Sequence, residues 1–213
     1  MEKSNTPIIF DKNTVEFVTV AAEFCGFLER VNETKRRTFV DTALKLLPLL
    51  YLKASLLPQG ERIDEFDPET FVTEGDYERV RCAIAALMGE KDDYLDVFLD
   101  DMAYSDTPIK QNISENLADI YQPLKDFICV DQTMNDALVI CREHFAEFWG
   151  QRLVNVMRAL HEVRYSKQTD TDEEAEDDAY ASSPFAEDEG YSEDDLYEGL
   201  EAGEDDGSGD RWE

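Results

Sequence analysis

Basic residues are scarce in this chain: 20 Lys and Arg stand against 50 Asp and Glu, a formal net charge of −30. Phosphate contacts need clustered Lys and Arg, so direct nucleic-acid binding is not expected. The one dense basic run, Lys35-Arg36-Arg37, opens a helix and reads as a solvated face. Long hydrophobic runs are lacking as well. The most apolar stretch, residues 44–57, is too short to span a bilayer and contains Lys45, Pro48 and Lys53. Residues 1–13 hold no apolar run long enough for a signal peptide, so the expectation is a cytoplasmic protein without a membrane role. Cysteine is limited to Cys25, Cys82, Cys129 and Cys141, with no CxxC pair; all four read as reduced core thiols.

The sequence also lacks the spacings that announce chemistry. There is no GxGxxG, GxxxxGK, HExxH or GxSxG, and no E-x-x-H pair of the di-iron kind. The two histidines, His144 and His161, lie seventeen residues apart on one predicted helix and cannot meet. No catalytic residue is assigned and no cofactor is expected beyond the cation considered below.

The charge that is present is unevenly placed. Residues 168–213 hold 20 acids and one base, Arg211, so most of the excess negative charge sits in a short C-terminal stretch. Such a stretch repels itself and resists compaction. The expected organisation is a helical domain over 1–166 and a disordered acidic tail over 167–213. Tyr191, Leu196, Tyr197, Leu200 and Trp212 interrupt the acid, an acidic–hydrophobic alternation typical of interaction segments.

Hydrophobic periodicity predicts helices over 14–31, 35–57, 76–88, 92–103, 114–130 and 134–165, and no strand. Asn13-Thr14 and Ser114 are the expected N-terminal caps. Pro48 and Pro123 predict kinks inside two of the helices. Residues 58–75 form the longest loop, polar and acidic. The fold class is all-α, a single bundle of about six helices. Its longest helix, 134–165, places apolar side chains at Leu138, Cys141, Phe145, Trp149, Leu153, Val156, Leu160 and Val163, a mean step of about 3.6.

Two constellations stand out. Asp92, Asp96 and Asp100 are spaced i, i+4, i+8, so one helix would line up three carboxylates. Like charges at that spacing disfavour a helix, and a divalent cation would relieve the repulsion. The pattern is similar to the aspartate-rich motif of helical isoprenoid synthases, over five residues only. A solvated acidic face is the plain alternative. On the last helix, Arg142 and Arg152 fall inside the apolar stripe, Arg152 within about 45° of its centre on a straight helix. A charge there must snorkel, pair with a carboxylate or face a cavity. Arg142, Arg152, Trp149 and His144 are therefore the candidate ligand- or partner-binding residues. Gly150, beside Trp149, suggests close approach of another helix, or a bend.

Two segments, NISENLADIYQPLKDF (112–127) and EHFAEFWGQRLVNVMRALHEV (143–163), resemble a small all-helical bacterial family known as domain of unknown function DUF5063. The resemblance spans about 14 to 165 and omits the tail. It implies a cytoplasmic helical fold and carries over no activity or site residues.

Two functional readings remain. In the first, the protein is a non-enzymatic interaction or adaptor protein whose residues 168–213 engage a basic partner. In the second, the helical domain binds a small ligand, or acts as a metal-dependent enzyme, through Arg152, Arg142 and perhaps His144, with Asp92, Asp96 and Asp100 as the cation site. If Arg152 is fully buried against a carboxylate it is structural; if it lines an open cleft with His144, the binder gains ground.

Overall fold

The computed structural model describes residues 8–64, 68–96, 108–130 and 134–166. The tail, with Tyr191, Leu196, Tyr197, Leu200 and Trp212, lies outside the described residues, as does Asp100. The fold is all-α: α1 (Lys12–Glu29), α2 (Arg36–Ser55), α3 (Glu74–Met88), α4 (Ile113–Cys129), α5 (Met134–His144) and α6 (Gly150–Tyr165), with one small sheet. No helix among the described residues is long and apolar enough to cross a membrane.

α4 is the hub. Leu117, Ile120, Tyr121, Leu124 and Phe127 recur at i, i+3, i+4, i+7 and i+10, and all are buried. The apolar band is wide enough for α4 to touch α1, α3, α5 and α6. On the α1 side, Phe17 meets Phe127 with ring centroids 5.8 Å apart. α2 lies against α1 and α6, burying Phe39, Ala43, Leu47 and Leu50. Both α2 and α4 continue as helix on either side of their prolines, Pro48 and Pro123.

The helix ends differ from the sequence expectation in instructive ways. Asp11, not Asn13-Thr14, caps α1, its carboxylate accepting the Asn13 N–H at 2.8 Å. Thr73 and Asp76 close a capping box on α3, and Gly89 ends that helix at φ 56°, a backbone angle that glycine tolerates without strain. Cys82 is exposed rather than a core thiol, because it sits two residues past buried Val80 and so turns to the opposite flank of α3. Cys25 and Cys141 are buried as expected, and Cys129 is half-buried.

The expected helix over 92–103 is not formed where the structure describes it. Asp93–Asp96 is a strand, β1, paired antiparallel with β2 (Ile109–Asn112); Asp93 stands opposite Asn112 and Asp96 opposite Ile109. The carboxylates explain the change. Asp92 and Asp96 on one helix flank would repel, and the strand also gives their neighbour Asp93 partners of its own: it accepts from Asn112 at 2.7 Å and pairs with Lys110 at 2.6 Å. Asp92 does the work expected of Ser114. Its carboxylate receives the Ser114 N–H at 2.8 Å and the Ser114 hydroxyl at 2.6 Å, and its carbonyl receives the Ile113 N–H at 2.8 Å. A buried carboxylate from outside thus satisfies the donors at the start of α4, where the helix dipole favours negative charge.

Candidate functional site

Residues 134–165 run as one rod, but the rod is not a straight α-helix. Phe145–Trp149 is a π-helical turn between α5 and α6. The Gly150 N–H donates to the Phe145 carbonyl, five residues back instead of four. A Cβ on Gly150 would stand 2.4 Å from that carbonyl oxygen and 2.9 Å from the Phe145 ring. The close approach expected of Gly150 is therefore to its own helix, not to a neighbour. The Trp149 indole N–H donates to the Cys141 carbonyl at 3.2 Å, and the Phe145 ring sits between Trp149 (centroids 4.7 Å) and Tyr51 of α2 (5.2 Å).

The π turn carries an extra residue, so everything after it is rotated by about 100° from its place on a straight helix. Arg152 is accordingly not on the buried stripe. Its side chain is 47% exposed and ion-paired with Asp119 of α4, which also accepts the Tyr77 hydroxyl at 2.9 Å. Neither outcome posed for Arg152 holds alone: it is paired with a carboxylate and it also lines an open groove with His144 and Trp149. Arg142 is half-buried and outside the groove lining.

The groove has a volume of about 580 Å³, within the roughly 300–1,000 Å³ of ligand sites. One wall is a single face of α4, where Asp119, Gln122, Pro123, Asp126 and Phe127 follow at helical spacing, with Val130 just past its end. The facing wall comes from α5 and the π turn through Ala137, Ile140, His144, Phe148 and Trp149. The third side is the loop between α2 and α3, represented by Arg62 and residues 68–70.

Two carboxylates hold that loop. Asp126 accepts the backbone N–H groups of Phe71 (2.6 Å) and Val72 (2.7 Å). Asp136, buried at the start of α5, accepts those of Ile63 (2.9 Å) and Asp64 (2.8 Å). These two N–H bonds keep the Asp136 carboxyl below the usual carboxylate range, opposed only in part by its burial. Asn135 adds a bond to the Glu61 carbonyl at 3.2 Å. The sequence marks 58–75 only as a polar, acidic loop and does not reveal either anchor, because nothing in the loop's own residues names the distant carboxylates that receive its N–H groups.

The groove lining mixes apolar and ionic side chains. Cys141 lines it, but burial raises its thiol well above the ordinary range, leaving a neutral packing group and no ready nucleophile. Trp149 is 1% exposed and forms floor, whereas Phe148 is 56% exposed and offers a ring face. His144 is exposed, with its ring 5.9 Å from that of Phe148. His161 lies elsewhere on α6, against Tyr165.

Asp92 and Asp96 of the proposed cation site are not part of the groove lining. Asp92 is committed to the start of α4, and Asp96 is buried with its Oδ2 3.5 Å from the Asn155 side-chain amide. Among the described residues no three His, Cys, Asp or Glu side chains are grouped so that they could hold a metal ion.

These features define a class before a family: an all-helical domain with an open groove beside a π turn. The chain belongs to the family described as domain of unknown function (DUF5063), whose family model matches residues 8–166. It is similar to the crystal structure of protein BF1032 from Bacteroides fragilis, at 58% identity over 75% of this chain and 96% of that chain, with a TM-score of 0.66. No curated protein matches it.

Proposed function

We propose that this is a cytoplasmic, non-enzymatic interaction protein that engages a basic partner, with residues 168–213 supplying most of the attraction. One observation carries the reading: that stretch holds 20 acids against a single base, interrupted by Tyr191, Leu196, Tyr197, Leu200 and Trp212. Carboxylates in such number raise the encounter rate with a cationic surface, and the apolar residues lengthen the encounter once it forms. Deleting residues 168–213 tests it. The family model ends at residue 166, so the shortened chain retains the whole matched domain. The melting temperature should stay within about 2 °C, a change of about 1 kcal/mol or less for a domain of this size. Binding to a lysine-rich probe peptide should fall by an order of magnitude or more at low salt. A loss of several degrees on truncation would make the tail part of the fold and end the reading.

One observation favours a second reading. Arg152 and His144 share the groove, and about half of the Arg152 side chain is open to solvent, as a site for a small carboxylate or phosphate ligand would require. Titrating phosphate while following Trp149 fluorescence tests it.

A further inference from the structure

We propose that the groove between α4 and the π turn is a docking site for a short basic segment of a partner protein, one that inserts an apolar side chain over Phe148 and sets Lys or Arg against Glu69 and Glu143. The inference rests on the reading of the protein as a binder of basic partners and adds where the partner is gripped.

The charges around the groove decide the sign of its occupant. Arg152 is already matched by Asp119. Arg62 lies near enough to Asp136 to act on that carboxyl. Asp126 is taken up by two backbone N–H groups, and still brings its negative charge to the wall. Glu69 and Glu143, both exposed, also line the groove. The lining carries four carboxylates against two arginines, so an anion entering here meets a net negative wall, whereas a cation meets complementary charge.

The apolar component is a floor of Phe127, Ala137, Ile140 and Trp149, with the exposed Phe148 ring beside it. Apolar floor and acidic rim together suit a peptide segment, which brings an anchor and cations on neighbouring residues.

The test uses the full chain with Trp212→Phe, so that Trp149 alone reports on the groove. The probe is a synthetic basic peptide carrying two leucines one helical turn apart. Saturable quenching or shift of Trp149 emission is expected, with a micromolar Kd. Glu69→Lys with Glu143→Lys should weaken it roughly tenfold, the effect of two rim charges. Both are exposed, and a parallel Glu→Gln pair should give a smaller loss at unchanged melting temperature. A matched basic peptide without leucines should bind the full chain yet leave Trp149 unmoved. The proposal is overturned if the double reversal changes affinity less than twofold, if an acidic peptide with the same leucines binds as tightly, or if phosphate perturbs Trp149 and the basic peptide does not. Binding that survives charge reversal but vanishes with residues 168–213 sinks the groove and leaves the tail reading standing. Binding that depends on Glu69 and Glu143 but not on 168–213 does the opposite.

Discussion

Replacing Gly150 with alanine is the sharpest test of the π turn. In an ordinary helix interior the change stabilises by about 1 kcal/mol, because alanine has the higher helix propensity. Here the new Cβ would lie 2.4 Å from the Phe145 carbonyl oxygen, and the gap must open by about 1 Å before the contact is ordinary. The Phe145 ring cannot simply swing clear, since it is packed between Trp149 and Tyr51. Overpacking of this kind costs about 1–3 kcal/mol, and loss of the Gly150 N–H bond to Phe145 about 1 kcal/mol more. Setting the propensity gain against these leaves a net destabilisation of about 1–3 kcal/mol, or a fall in melting temperature of roughly 3–10 °C. Gly26→Ala is the internal control. It also lies in a helix, but its Cβ would meet only the mobile end of Arg30 at 3.2 Å, so it should be stabilising by about 0.5–1 kcal/mol. Thermal melts followed by circular dichroism give both numbers. If Gly150→Ala melts as high as Gly26→Ala, glycine is not what the π turn requires and the argument fails.

Two further outcomes follow from the titratable groups. Asp136 has a folded pKa below its unfolded one, so its contribution to stability is present above the unfolded carboxylate value and is lost as pH falls through the folded value, below about pH 4. Asp136→Asn should therefore lower the unfolding free energy from urea titration at neutral pH by about 1–3 kcal/mol, for the N–H groups it leaves poorly matched, and the gap from the parent should narrow toward pH 3; a constant gap across that range would contradict it. In native protein a thiol reagent should titrate exposed Cys82 first, while Cys25, its thiol pushed up to about 12 by burial, and buried Cys141 should react only on unfolding. Rapid loss of all four thiols without denaturant would refute the burial assigned to them.

Much of the fold was legible because it is written in local periodicity. The helix predicted over 114–130 is α4, its residues Leu117 to Phe127 at helical spacing form the buried face, and the helical class follows from the same pattern. The helix expected over 92–103 failed at 92–96, where the structure describes it, for a reason that periodicity does not contain. The apolar spacing of Leu95 and Leu99 fits a helix, but Asp92 is drawn to Ser114, twenty-two residues away, and Asp93 to Lys110 and Asn112. Long-range hydrogen bonds outweighed a weak local preference, which is the usual way tertiary context overrides propensity. The groove was hidden likewise. Its third side is held by Asp126 and Asp136, and no spacing rule links either carboxylate to the loop whose N–H groups it receives.

The π turn is a different case, because its signal was in the sequence and averaging removed it. The apolar stripe on 134–165 has a mean step of about 3.6, the value for a straight α-helix. Yet the steps from Cys141 to Phe145, Trp149 and Leu153 are three consecutive fours. Each overshoots an α-helical turn by about 40°, and three together by about 120°, close to the 100° of a single residue. A straight helix would leave Leu153 at the outer edge of the stripe, about 60° from its centre; one inserted residue brings it inward, and Leu153 is fully buried. The same insertion moves Arg152 off the stripe to the groove's edge, where Asp119 can reach it. The glycine after Trp149 and the misplaced arginine, which looked like separate anomalies, thus have one cause. Glycine is needed because the inserted residue brings the Phe145 carbonyl onto position 150, and Arg152 is half-exposed because that residue turns it outward.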